Sequence, residues 1–172
     1  MKNINESGFS LIEIMVVITI FAILGIIVTS SIILTLAGTK KSESLIRVRD
    51  NLNYSLSVIE RNIRNANSIP ISDCTGTPST TLNYLDQNGN PTSFSCITFG
   101  TDSYIASGSA NPSRLTSDSI KIVDCSNVFT CTPSDANTPP FVTIDLTVQD
   151  ASSSGVQSAE VTAQTQIYLR NY

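Results

Sequence analysis

Gly8-Phe9-Ser10-Leu11-Ile12-Glu13-Ile14-Met15 opens a long apolar run with one acid, Glu13, set inside it. No other charged side chain occurs between Phe9 and Thr39. At 1.5 Å per residue, residues 9–36 make a helix about 42 Å long. That exceeds the ~30 Å hydrocarbon core of a bilayer, so the run spans a membrane with some tilt or protrudes at one end. A carboxylate at that depth costs roughly 2.5–3.5 kcal/mol on insertion scales. The anchor therefore needs something to cancel the charge it carries.

On the N-terminal side lies a short polar leader, residues 1–8, with one lysine, Lys2, and one acid, Glu6. On the other side the pattern changes at Gly38. Leu45, Val48, Leu52, Leu56, Ile59, Ile63 and Ala66 follow at spacings of three and four, which predicts an amphipathic helix over 39–66. Nothing between Leu36 and Leu45 breaks a helix, and Gly25 and Gly38 only loosen one. The two segments read as one continuous helix that stops before Pro70, with residues 65–67 supplying its end.

Beyond the helix the period becomes two. Residues 82–85 and 93–99 flank Asp86-Gln87-Asn88-Gly89-Asn90-Pro91, a hairpin signal. Residues 120–123, 141–148 and 161–169 read as further strands, with 150–158 as the turn between the last two. The stretches around Pro78 and over 101–116 read as surface loops. Four or so antiparallel strands with one apolar face need a cover, and the helix stripe supplies it. The fold class is α+β, a long N-terminal helix packed on a small antiparallel sheet.

Composition narrows the function. The chain has 172 residues and a net charge of -4. An acidic chain is a poor general ligand for nucleic acid, because phosphate contacts need clustered Lys and Arg. Lys40, Lys41, Arg47, Arg49, Arg61 and Arg64 do fall together, but they read as a solvated helix face paired with Glu43, Asp50 and Glu60. With no histidine, Ser-His-Asp and Cys-His catalysis and imidazole metal sites are excluded.

The four cysteines, Cys74, Cys96, Cys125 and Cys131, lie in the polar C-terminal part and lack the two-residue spacings of zinc ligands. They read as two disulfides in an oxidising compartment. Of the three connectivities, pairing of neighbours is preferred, Cys74–Cys96 and Cys125–Cys131. Asp86-x-Asn88-x-Asn90 invites a calcium reading, but Pro91 and Ile97 stand where such a loop wants Gly and Glu, so the hairpin turn is preferred. Asn53-Tyr54-Ser55 matches a glycosylation sequon on a predicted helix, where occupancy is not expected.

The string from Gly8 to Glu13 resembles the processing site of type IV pilins and of the pseudopilins of type II secretion. The resemblance implies cleavage by a prepilin peptidase between Gly8 and Phe9 and N-methylation of the new N-terminal Phe9. Glu13 then takes the place of the glutamate that the family keeps at its fifth mature residue. The new amine, with a reference pKa of about 7.7–8.0, would meet the glutamate of a neighbouring subunit, so that Phe9 and Glu13 set assembly register. The implied organisation is leader 1–8, transmembrane or filament-core helix 9–38, amphipathic half 39–66 and an extracytoplasmic β-sheet domain 67–172.

Two further details belong with the resemblance. Many major pilins carry a helix-breaking proline midway along the apolar helix, and Ser30 stands at that place here. The strings at 59–66 and 164–171 are similar to minor pilins or J-type minor pseudopilins. Both point to a minor pilin or pseudopilin, a non-catalytic filament subunit without cofactor or metal. Its implied partners are the peptidase, other pilins and the membrane, with no direct nucleic acid.

The expected location is a single pass through the cytoplasmic (inner) membrane with the C-terminal domain outside, then a surface or periplasmic filament. The flanking charges oppose this orientation, since Lys2 stands alone before the span and Lys40, Lys41, Arg47 and Arg49 follow it. The cysteines and the resemblance outweigh them. The reading from another class is a monomeric membrane-anchored binding module, an adhesin or sensor. A secretory signal peptide is disfavoured, because the apolar run is too long and no A-x-A-like site follows.

Overall fold

The computed structural model describes residues 10–135, 138–152 and 158–169. The chain divides into two compact units, Met1–Lys40 and Lys41–Tyr172. Helix α1 runs Leu11–Arg64, 54 residues, and passes Ser30 without a break. Where a proline would remove a helix bond, Ser30 instead donates its hydroxyl to the carbonyl of Ile26 at 2.9 Å.

Described residues 10–40 contain no buried side chain. Within Lys41–Tyr172, α1 buries Ser44, Val48, Leu52, Ser55, Ile59 and Ile63, one stripe at three- and four-residue spacing. After Arg64 the last turn tightens, with the amide of Ala66 donating to the carbonyl of Ile63 at 3.2 Å. The amide of Asn67 then donates to the carbonyl of Leu85 at 2.9 Å, handing the chain to a sheet.

Nine strands form among the described residues: β1 Pro78–Ser79, β2 Thr81–Leu85, β3 Pro91–Phe99, β4 Asp102–Ser107, β5 Ser113–Arg114, β6 Ile120–Ile122, β7 Phe129–Thr132, β8 Phe141–Asp150 and β9 Glu160–Tyr168. They make two antiparallel sheets where the sequence suggested one. The first has the order β2-β3-β4-β5. The second is built on β8, which pairs with β9 along its length and with β7 and β6 at its two ends. In β8, Val142, Ile144, Leu146, Val148 and Asp150 are buried and alternate with less buried residues. The four apolar side chains join Val48, Leu52, Ile59 and Ile63 of the helix and Leu82, Tyr84, Phe94 and Ile105 of the other sheet in one core.

Two loop expectations are corrected. Residues 101–116 hold β4 and β5, and Pro78 begins β1. The reason is Arg114, which reaches the Asp102 carboxylate at 2.7 Å, Asp118 at 3.0 Å and the carbonyl of Thr116 at 2.8 Å. Its guanidinium also lies 4.6 Å from the ring centroid of Tyr104. One arginine thus closes a segment whose own apolar pattern is weak.

The pairing of cysteine neighbours is also corrected, because the bridges are Cys74–Cys131 and Cys96–Cys125. Strand β7, which carries Cys131, pairs with β1, and the amide of Gly76 donates to the carbonyl of Cys131 at 2.8 Å. That pairing lays Cys74 beside Cys131 with 4.5 Å between their Cα atoms. Cys96, on the buried face of β3, is left to bridge to Cys125 just before β7, which ties one sheet to the other.

Candidate assembly site

Glu13 stands in the first turn of α1, where the carbonyl of Ser10 accepts the amides of Glu13 and Ile14 at 3.0 and 3.3 Å. An acid in a first turn is favoured by the helix dipole. Gly8 and Phe9, the expected cleavage and methylation positions, lie outside the described residues.

Around Glu13 the described side chains are uncovered and, apart from Ser10, apolar. Leu11 is 75% exposed and Phe21 71%, and the exposed apolar surface continues to Leu36. A soluble chain rarely presents a patch of that extent, so this segment is built to be covered by lipid or by protein. By length and composition α1 qualifies as a membrane-crossing helix.

The hydroxyls in this segment do not oppose burial. Thr19 donates to the carbonyl of Val16, Thr29 to Gly25 and Thr35 to Ser31, each within 2.8–2.9 Å. Helix hydroxyls bonded to their own backbone enter hydrocarbon with their polar atoms satisfied. Glu13 has no such recourse, and among the described residues no cation pairs with it.

Residues 3–29 match the family model for the prokaryotic N-terminal methylation motif. The chain carries a type IV pilin-like N-terminal segment. That motif is the prepilin signal of type IV pilins and pseudopilins, and with the apolar helix it marks a membrane anchor. No curated protein and no solved structure matches the chain.

The remaining sequence candidates have structural roles in the Lys41–Tyr172 unit. The Asp86 carboxylate is used inside its own turn: one oxygen accepts the amides of Asn88 and Asn90, both at 2.8 Å, and the other accepts the Asn90 side chain at 3.3 Å. The amide of Asn90 above all holds the Asp86 carboxyl below its usual range. Gly89 takes the left-handed conformation, φ 81°, that this turn requires. Among the described residues no group of three or more His, Cys, Asp or Glu side chains is arranged to hold a metal ion.

Ser55 of the sequon is buried, and its hydroxyl donates to the carbonyl of Asn51 at 2.9 Å. Of the basic helix face, Arg47 pairs with Glu43 at 3.2 Å and Arg64 with Glu60 at 2.6 Å, exposed i,i+4 bridges.

The sequence reading missed the buried contact of Ser44 with Asp150. Its only signal was position. Ser44 lies one helical turn before Val48 on the apolar stripe, and Asp150 lies two residues after Val148 on the apolar face of β8.

Proposed function

We propose that this chain is a non-catalytic structural subunit, a minor pilin or pseudopilin, of a type IV pilus-like or type II secretion-like filament. A prepilin peptidase cuts between Gly8 and Phe9 and methylates Phe9. The carrying observation is Glu13, the sole charge between Phe9 and Thr39, in an uncovered apolar stretch that lies largely within a methylation motif.

Cleavage creates the missing cation. The new amine of Phe9 meets Glu13 of a neighbouring subunit, and two opposite charges neutralise each other inside an apolar bundle. Removing either partner strands the other, at roughly 3–5 kcal/mol for a buried pair. The carboxylate is thus a register device, with no acid–base role. In this reading residues 9–38 anchor the subunit and later form the filament core, residues 39–66 pack on the sheets, and residues 67–172 stand outside the membrane.

Mass spectrometry of the protein recovered from the native membrane tests this. The expected mature chain begins at methylated Phe9. An intact Met1, or cleavage near residue 38, overturns the filament reading and leaves a plain anchor carrying a binding module.

A further inference from the structure

Within the Lys41–Tyr172 unit, helix α1 repeats itself. Its buried residues Ser44, Val48 and Leu52 recur eleven positions on as Ser55, Ile59 and Ile63. At 3.6 residues per turn, eleven residues are close to three full turns, so positions eleven apart share a helix face. The charges between the buried residues keep the same period but invert their signs. Arg49-Asp50 in the first repeat becomes Glu60-Arg61 in the second. Arg49, Asp50 and Arg61 are exposed, and none of the three makes an ion pair among the described residues. Glu60 is met only by the exposed Arg64. Ile46 and Tyr54, one turn before and after Asp50, are 56% and 59% exposed.

We propose that this face of α1 joins one copy of the chain to the next, parallel and staggered by eleven residues, so that Arg49-Asp50 of one copy meets Glu60-Arg61 of its neighbour. The stagger is about 16.5 Å at 1.5 Å per residue. In the filament reading, on which this contact rests, copies anchored by the same N-terminal segment stand with α1 pointing the same way. Parallel helices in register set Asp50 against Asp50 and Arg61 against Arg61. The eleven-residue shift turns both into opposite charges. Over residues 41–64 it leaves no charge directly opposite a like charge.

The receiving end is open. Glu60, Arg61 and Asn65 of the helix and Tyr168 of β9 line a groove of about 610 Å³. In the staggered register Asp50 of the entering copy comes to Arg61, and its Tyr54 comes to Asn65 at the same groove. Exposed ion pairs contribute little affinity singly, so these two act by selecting the register. The contact is heterologous. Each copy offers Arg49-Asp50 to one neighbour and Glu60-Arg61 to another, so the contact propagates along a filament and does not close as a dimer.

Photocrosslinking of the full chain in its native cells tests this, with benzoylphenylalanine in place of Tyr54. Within one chain Tyr54 and Asn65 are about 16.5 Å apart along the helix, beyond the reach of the photoreactive group, so a bond to the peptide around Asn65 reports a neighbouring copy. Asp50→Arg or Arg61→Glu alone sets like charges against each other and should lower the crosslinked yield roughly fivefold. The two changes together restore opposite charges and should restore the yield. Native disulfides in each variant establish folding. Single reversals without effect, a double variant as low as the singles, or crosslinks to other segments overturn the register. A crosslink to a different protein overturns the second copy and assigns the face to that partner. Absence of a crosslink from a chain that matures at Phe9 and enters filaments overturns this contact alone. A chain that keeps Met1 overturns the filament reading and this contact together.

Discussion

Ser44 on α1 donates its hydroxyl to the carboxylate of Asp150 at the end of β8, and both side chains are buried. The same carboxylate accepts the amide and hydroxyl of Ser152, at 2.8 and 2.6 Å. The apolar stripe of the helix and the apolar face of the strand thus both end in a polar residue, and the two meet. Ser44→Ala removes one donor from a buried carboxylate and should cost about 1–3 kcal/mol. Ser42→Ala, at an exposed position of the same helix, should stay within ~0.5 kcal/mol. Urea unfolding of the two variants measures the difference.

The disulfides give a second prediction. Peptide mapping without reductant should recover Cys74–Cys131 and Cys96–Cys125. A peptide joining Cys74 to Cys96 would contradict the fold. The bridges span 57 and 29 residues of sequence. Each should contribute about 2–4 kcal/mol, and the longer loop about 0.6 kcal/mol more than the shorter. Paired Cys→Ser variants, one bridge at a time, read this out as loss of unfolding free energy.

Glu13 predicts effects of opposite sign in two environments. Glu13→Ala should favour the lipid-inserted monomer by roughly 2.5–3.5 kcal/mol. The same change should abolish incorporation into filaments, so the variant accumulates in the membrane fraction. Glu13→Gln separates charge from hydrogen bonding. Wild-type incorporation of the glutamine variant would rule out the ion pair.

Acid sensitivity follows from the turns. The carboxyl of Asp86 is held low by the amide of Asn90 first, and that of Asp124 by the amide of Ser126 first. Each folded value lies below the unfolded value of about 3.9. Between the two, the unfolded chain binds more protons, so stability rises with pH. The contribution is complete above about pH 5 and is lost as pH falls through the folded values. The urea midpoint should therefore drop between about pH 4 and 2, and Asp86→Ser, which cannot titrate, should show a shallower drop.

What the sequence made legible was whatever repeats. The helix was readable because Val48, Leu52, Ile59 and Ile63 recur at helical spacing, and β8 because Val142, Ile144, Leu146 and Val148 alternate. The hairpin of β2 and β3 announced itself through Asp86-Gln87-Asn88-Gly89-Asn90. Strands β4 and β7 did not. In β4 the buried residues Ile105 and Ala106 are adjacent, without alternation, and β7 is four residues long.

The cysteine pairing was hidden for the same reason, since it depends on β7 lying against β1. Asp150 was read as the start of a turn, because a carboxylate at the end of an apolar face gives no sign that a helix hydroxyl will meet it. Glu13 was legible because a lone charge in an apolar run has no ordinary explanation.

The hydroxyls of Thr19, Thr29, Ser30 and Thr35 close on carbonyls of their own helix. Each bond is carried within the segment and borrowed from no neighbour. Such a helix can exchange one oily surrounding for another without breaking or remaking any of them. Its hydroxyls leave the segment indifferent to where it resides, and the choice of address falls to one carboxylate.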